Sequence, residues 1–129
     1  MRIIDRVLVG LLLAAGASDA ALALDEKAQG DVLYVTGGVG DAEIAEIKAM
    51  APRYPLQILT ADRSGQYVAG AHVTLSRGGR DVFDATLDGP YLLAKLAPGS
   101  YRLRASFEGR QVERMVQVGT RSQAITLHW

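Results

Sequence analysis

The chain has 129 residues, with 14 basic and 14 acidic side chains, two histidines and no cysteine. The lack of cysteine excludes disulfides, thiolate metal ligands and a cysteine nucleophile. The formal net charge of zero provides no overall field that would attract nucleic acid or an anionic membrane. A chain of this length suits one domain.

The first segment, residues 1–23, has the features of a secretory signal peptide. Arg2 and Arg6 precede an apolar run from Val7 to Ala17, which is too short to span a bilayer. Ala21-Leu22-Ala23 then provides a small-x-small cleavage site. We therefore predict cleavage after Ala23 and a soluble exported protein, which would be periplasmic in a Gram-negative host.

Residues 24–55 are predicted to form an N-terminal extension of the main domain. Leu24 to Gly30 is polar and is predicted to be frayed, whereas Val32 to Thr36 is apolar enough for a short strand. Gly37-Gly38-Val39-Gly40 then interrupts regular structure.

One short helix is predicted at about 41–51. Asp41 is positioned to cap it, and Ile44 and Ile47 fall on one face at helical spacing. Pro52 ends the pattern because proline cannot continue a helix. Since so short a helix is marginal alone, we expect its isoleucines to cover part of the sandwich core.

From residue 56 onward, apolar residues recur at every second position, which indicates half-buried strands separated by turns. The clearest case is the alternation of Tyr101, Leu103, Ala105 and Phe107. The predicted strands are 56–60, 71–76, 81–85, 91–96, 101–107, 112–118 and 124–129, with a short extended piece at Tyr67-Val68. We predict a mainly β protein, an antiparallel β-sandwich of about seven strands occupying residues 56–129.

One predicted strand departs from strict alternation. Arg114 shares a face with Val112, Val116 and Val118. A charged residue among inward-facing valines is tolerated at the edge of a sheet. This segment is therefore predicted to be an edge strand.

The stretch around Pro98-Gly99 predicts a turn followed by a tyrosine corner. Proline and glycine suit the two central positions of a tight turn, and Tyr101 begins a strand with its ring inward. Its buried hydroxyl needs a partner, most simply the backbone of the preceding corner. Pro98, Gly99 and Tyr101, with Gly65 and Gly109, are the structural motif residues.

These motifs resemble those of the carboxypeptidase-regulatory-like group. The pattern Leu96-x-Pro98-Gly99-x-Tyr101-x-Leu103-x-Ala105, followed by Gly109, is similar to that group's, and Gly65 with the run from Val68 to Leu75 matches its opening strand. The resemblance covers roughly residues 56–127 and implies a prealbumin-like (transthyretin-like) sandwich. Residues 34–50 are similar to the front segment of small exported proteobacterial proteins of unknown role. The resemblance implies an extracytoplasmic accessory or binding module and names no ligand.

The glycine-rich loop at 37–40 is a poor phosphate site. It lacks the Gly-Lys-Ser/Thr ending of a P-loop, and Asp41 and Glu43 would repel an anion. A flexible turn before the helix is the preferred interpretation, and no cofactor is predicted.

The two histidines are the basis of an enzyme alternative. Some transthyretin-like proteins hydrolyse hydroxyisourate with two histidines, an arginine and a C-terminal Tyr-Arg-Gly-Ser, but this chain ends in Thr126-Leu127-His128-Trp129. A period of two places both His72 and His128 on solvent faces. We therefore assign no catalytic, cofactor-binding or metal-binding residue.

Three surface patterns remain as weaker alternatives. Turn aspartates at 62, 81, 84 and 88 could gather for calcium, although turn chemistry explains them better. Arg102 and Arg104, with Arg114 on a neighbouring strand, could form a basic stripe for an anionic polymer, but Glu108 and Glu113 interrupt it and a mixed solvated face is the preferred interpretation. Tyr67 and Tyr91 could stack on sugars or pack internally.

The preferred function is that of a non-enzymatic exported envelope protein, a binding or accessory module that uses its turns or an open sheet edge. Its expected partner is an envelope protein or a carbohydrate, with no nucleic acid and no membrane span. A small transthyretin-related hydrolase and a structural subunit of an envelope assembly are the alternatives.

Overall fold

The computed structural model describes residues 24–129. The predicted signal peptide and its cleavage site lie outside these residues. In the described part of the chain, no helix has both the length and the apolar character needed to cross a membrane.

The described residues form nine strands and one α-helix. In chain order they are β1 (Lys27–Gln29), β2 (Val32–Gly37), α1 (Gly40–Met50), β3 (Leu56–Ala61), β4 (His72–Arg77), β5 (Arg80–Thr86), β6 (Tyr91–Lys95), β7 (Gly99–Phe107), β8 (Arg110–Val118) and β9 (Gln123–His128). A short 3₁₀ turn, Ala51–Arg53, follows the helix. The prediction of a mainly β protein is confirmed.

Two sheets pack face to face. The first has five strands in the order β1-β2-β6-β3-β9, and the second has four in the order β5-β4-β7-β8. Apolar side chains that alternate along the strands fill the space between them, including Ile58, Leu75, Phe83, Leu92 and Leu103. The strand periodicity therefore predicted the inner faces correctly, because a period of two places every second residue in this core.

The sandwich differs from the predicted one in two respects. It has nine strands instead of about seven, and one pair is parallel: β9 runs beside β3 in the same direction, from the Leu56–Gln123 pair to the Ala61–His128 pair. The chain crosses from the second sheet to the first between β8 and β9. Such a crossing allows a strand to join an edge in either direction, whereas a hairpin permits only an antiparallel pair.

The segment predicted to be frayed, Leu24 to Gly30, contains a strand. β1 pairs antiparallel with β2, with Lys27 opposite Tyr34 and Gln29 opposite Val32. β2 in turn pairs with β6 in the middle of the first sheet. The region 24–55, expected as an extension, therefore contributes two strands to the sandwich.

The helix forms a third layer on the outer face of the first sheet. Ile47 is fully buried against Val35, Tyr91 and Leu93, and Ile44 is half-buried at the same contact. Ile47 is shielded from water as expected, but the prediction that the two isoleucines cover part of the sandwich core is wrong. They cover the outer face of the first sheet, and the core between the two sheets lies on its other side.

The helix begins one residue earlier than predicted, and its cap is different. Val39 is the N-cap residue and provides no side-chain hydrogen bond, so Asp41 does not cap the helix. Instead, Glu43 Oε1 accepts hydrogen bonds of 3.0 Å from the backbone N–H groups of both Gly38 and Val39. A carboxylate one turn into the helix thus satisfies donors that would otherwise lack partners.

Candidate functional site at the open edge of the four-stranded sheet

The predicted tyrosine corner is present. The ring of Tyr101 is buried, and its hydroxyl donates a hydrogen bond of 2.6 Å to the carbonyl oxygen of Ala97. Arg77 Nη1 donates to the same hydroxyl at 3.3 Å, and the guanidinium carbon lies 5.5 Å from the centre of the ring. The corner therefore fixes the passage from β6 to β7 between the two sheets.

Pro98 and Gly99 lie in this passage between sheets and do not close a hairpin. Gly99 already begins β7, with a φ of +154°. A Cβ at this position would lie 2.8 Å from the Arg77 guanidinium carbon. The positive φ favours glycine at this position, and the absence of a side chain also leaves room for Arg77 to reach Tyr101.

The other two motif glycines occupy turns. Gly65 has a φ of +91°, and its N–H donates to the Asp62 carbonyl at 3.0 Å. Gly109, with a φ of +77°, follows Glu108, with a φ of +50°, in the two-residue turn between β7 and β8. Left-handed backbone at a turn favours glycine, because glycine has no Cβ. The three motif glycines therefore provide backbone conformations, whereas Tyr101 acts through its ring and hydroxyl.

The two histidines lie in different sheets. His72 begins β4 and contacts the Asp84 carboxylate through Nε2, while its Nδ1 lies 2.9 Å from the Thr86 hydroxyl. His128 ends β9 and lines a separate depression beside Trp129. Both side chains are exposed, as predicted.

The turn aspartates do not converge. Asp81 pairs with Arg104 at 3.3 Å, Asp84 contacts His72, and Asp88 lies 3.6 Å from Lys27 Nζ. Asp62 closes its own turn, where hydrogen bonds from the Ser64 hydroxyl and from nearby backbone N–H groups lower its pKa. Within residues 24–129, no group of three or more His, Cys, Asp or Glu side chains could hold a metal ion.

In the glycine-rich loop at 37–40, backbone N–H groups are already bonded to a carboxylate of the same chain. The Glu43 carboxylate occupies the N–H groups of Gly38 and Val39, which a phosphate would need. A depression of about 280 Å³ beside the loop is also lined by Asp25 and Asp88. These carboxylates support the interpretation of the loop as a helix start.

A buried tyrosine joins the beginning of the described chain to the end of the helical segment. Tyr54 is buried, its hydroxyl donates to Glu26 Oε2, and Lys95 Nζ lies 3.6 Å from the same oxygen. The hydrogen bond from Tyr54, together with Lys95, lowers the pKa of Glu26. Burial and the neighbouring carboxylate raise the pKa of Tyr54 to about 12.

Alkaline stability is expected to depend on Tyr54. An unfolded tyrosine ionises near pH 10, whereas the folded one resists ionisation up to about pH 12. Its contribution is therefore complete below pH 10 and is lost as the pH rises towards 12. Tyr54→Phe should flatten the decline of the free energy of unfolding over this interval, measured by urea titration at successive pH values. It should also raise the pKa of Glu26 in an NMR titration; unchanged values in both experiments would contradict the linkage.

The two tyrosines considered as sugar platforms have different environments. Tyr91 is buried, and its ring meets that of Tyr67 edge to face with 6.0 Å between centroids. Burial, followed by the neighbouring Tyr67, raises the pKa of Tyr91 to about 12. Tyr67 is 48% exposed, and it is the one aromatic side chain among the exposed large hydrophobic residues of 24–129. The pair is thus mainly a packing contact.

The alternative of a basic stripe does not hold, because Arg114 lies on the opposite face of the sheet from Arg102 and Arg104. Arg102 and Arg104 project outward from β7 and form ion pairs with Glu113 and Asp81, respectively. Arg114, however, pairs in register with Leu103, a core residue. Residues directly opposite in a ladder share a face, so Arg114 points to the core-facing side of β8.

β8 is the most accessible strand of the second sheet. It is nine residues long and, among the described strands, pairs only with β7, as the predicted edge strand should. The two-residue turn makes Phe107 and Arg110 a hydrogen-bonded pair and so sets the alternation along the ladder. The backbone groups of four residues then point away from β7: Gln111, Glu113, Met115 and Gln117. The Met115 side chain beside them is 64% exposed.

A side chain from β1 covers part of the other edge of this sheet. The Gln29 amide bonds to the backbone of Asp84 on β5: it accepts from the N–H at 2.7 Å and donates to the carbonyl at 3.0 Å. At Asp84, one amide side chain therefore takes the place of a neighbouring strand. On β8, Trp129 Nε1 donates to the Arg110 carbonyl at 3.0 Å, a group of the pair that faces β7, so this contact leaves the outward backbone groups of β8 uncovered.

Comparison with known protein families finds no matching family model, and comparison with curated proteins finds no significant match.

Sequence reasoning found the edge strand and missed what surrounds it. Arg114 among valines was the signal for β8. Met115 carried no separate signal, because an exposed methionine and a buried one look alike in sequence. The contacts of Gln29 and Trp129 join residues 55 and 19 positions apart and leave no periodic trace.

Proposed function

We propose that this protein is a non-enzymatic, extracytoplasmic binding module that recognises an extended polypeptide by adding it as a strand alongside β8. The observation that carries the proposal is the asymmetry of the four-stranded sheet. β5 is closed at Asp84 by Gln29, whereas β8 keeps four residues with outward backbone groups. Strand addition uses such groups for affinity and the alternating side chains for specificity.

The two-sheet architecture and the tyrosine corner support a finer assignment. We propose that the chain is a carboxypeptidase-regulatory-like domain of the prealbumin-like kind and that it acts in the periplasm after cleavage following Ala23. N-terminal sequencing of the protein isolated from its source should find Leu24 or a residue next to it first. A mature cytosolic protein that retains Met1 would refute this location.

The separation of the histidines favours binding over hydrolysis. A hydrolase of the transthyretin-related kind would need His72, His128 and an arginine in one pocket. His72 lines a depression of about 160 Å³ on the second sheet with Arg104, and His128 lines another with Arg63 and Arg110. Each histidine therefore lines its own depression, and neither depression contains both histidines.

The proposal can be tested with a photo-crosslinker at the edge, since the natural chain contains no cysteine. A Met115→Cys variant labelled with benzophenone maleimide would be incubated with the native envelope fraction and irradiated. We expect a crosslinked polypeptide that an Arg80→Cys variant, labelled at the opposite side of the sheet, does not give. Mass spectrometry of the adduct identifies the partner and the segment that contacts β8.

A backbone variant separates strand addition from ordinary surface contact. Glu113→Pro removes one outward N–H of β8 and leaves the ladder to β7 intact, because proline is tolerated where the N–H faces solvent. Added to Met115→Cys, it should abolish the crosslink. An adduct of equal yield with and without the proline, or equal adducts from both labelled positions, would overturn the proposal.

A further inference from the structure

Four arginines lie along the side of the sandwich where β8 is open. Arg114 lies at the middle of β8, and Arg110 lies about 13 Å away on the same face. Arg63 lines the same depression, of about 290 Å³, as Arg110. Arg121 lies in the connection that leads from β8 to β9. All four side chains belong to exposed residues.

These arginines differ in pairing from those on the outer face of the sheet. Arg102 and Arg104 are held by Glu113 and Asp81. The ion pairs formed among residues 24–129 include none of the four along the edge. Glu113, the acidic residue of β8 itself, is turned to the outer face by its pairing with Arg102. The open edge is therefore basic although the whole chain has no formal net charge.

We propose that the strand accepted by β8 is acidic, with carboxylates at alternate positions that face Arg114 and Arg110. This inference rests on the proposed function and names the chemistry of its partner. In a strand laid beside β8, every second side chain falls on the core-facing side, where these arginines lie. Opposite charges on neighbouring strands stabilise the pair, and like charges destabilise it.

Arg114 also discourages pairing with a second copy of the protein. If two β8 strands met about their midpoint, Arg114 would face its counterpart directly. An inward-pointing charge is one of the devices by which edge strands avoid such association. The same charge becomes favourable when the incoming strand carries a carboxylate, so it selects among extended partners.

An anionic polymer such as polyphosphate is the ligand that competes with an acidic strand. The two differ in whether they use the backbone groups of β8. Polyphosphate can neutralise the arginines but cannot continue the hydrogen-bonded ladder of β8. An acidic strand uses both the charges of Arg114 and Arg110 and the outward N–H and C=O groups. Proline at one of the outward positions should therefore abolish binding of the acidic strand and leave polyphosphate binding unaffected.

Synthetic peptides of one length and different charge test the inference. The probes are the acetylated, amidated and fluorescently labelled peptides VETEVETEV, VQTQVQTQV and VKTKVKTKV, with polyphosphate as the non-peptide competitor. We expect the glutamate peptide to bind most tightly, to shift the NMR amide signals of residues 111–117, and to lose affinity with increasing salt. Arg114→Gln should weaken it about three- to tenfold, whereas the matched Arg80→Gln control should not. Met115→Pro should abolish binding of every peptide.

The outcomes separate this inference from the proposed function. Equal binding of all three peptides, all sensitive to Met115→Pro, would preserve strand addition and overturn the acidic preference. Absence of any shift at residues 111–117 would overturn both. Glutamate-peptide binding that survives Met115→Pro and that polyphosphate displaces in full would replace the acidic strand by a simple anion site.

Discussion

Replacement of Tyr101 by alanine is expected to lower the free energy of unfolding by about 3–5 kcal/mol. The ring is buried between the sheets, and its removal leaves a cavity in the main core. It also leaves the carbonyl of Ala97 without its 2.6 Å hydrogen bond and Arg77 without the ring beneath it. Urea denaturation at neutral pH measures the loss.

Tyr101→Phe provides the matched control, because it keeps the ring and removes only the hydroxyl. The expected loss is about 1 kcal/mol, the contribution of one hydrogen bond. Comparing the free energies of unfolding of wild type, Tyr101→Phe and Tyr101→Ala therefore separates the contribution of the hydrogen bond from that of ring packing. Three equal midpoints would contradict a buried corner, and equal losses for both variants would assign the effect to the hydroxyl alone.

Replacement of Ile47 by alanine is expected to cost about 2–5 kcal/mol. Ile47 is fully buried against Val35 and Leu93, where the helix covers the first sheet. A helix of this length has little stability without such a contact. The variant should therefore lose both global stability, measured in urea, and the hydrogen-exchange protection of residues 43–50.

Lys48→Ala is the control for Ile47, since Lys48 is exposed in the same turn of the helix. It should change the stability by no more than about 0.5 kcal/mol. If Ile47→Ala unfolded only the helix, while the strands kept their wild-type protection, the helix would be an independent element. A loss that reaches β2 and β6 would instead confirm that the helix and the first sheet unfold together.

The main core could be predicted because its signal is local. Tyr101, Leu103 and Ala105 alternate with polar residues, and a strand converts that alternation directly into one buried face. The tyrosine corner was predictable for a similar reason, since the hydroxyl and its acceptor are four residues apart. Turn glycines such as Gly109 were predictable too, because the left-handed backbone of a tight turn favours glycine, which can be recognised in the sequence.

The rest depends on contacts that are distant in sequence. β1 has three residues and no apolar alternation, so only its pairing with β2 makes it a strand. The direction of β9 is set by the place left beside β3, which no local pattern encodes. At the candidate site, Arg114 indicated an edge, but the clustering of basic side chains appears only when Arg63 is brought beside Arg110.

The Gln29 side chain that covers Asp84 limits what the protein can build. A sheet that continues from one molecule to the next needs two unpaired strand edges on each subunit, each pairing with a neighbouring molecule. With Asp84 of β5 bonded to an amide from its own chain, β8 is the more open edge of the four-stranded sheet. A strand added at β8 would not be matched by a second strand paired at Asp84. For the four-stranded sheet, this geometry therefore favours a one-to-one complex over a filament.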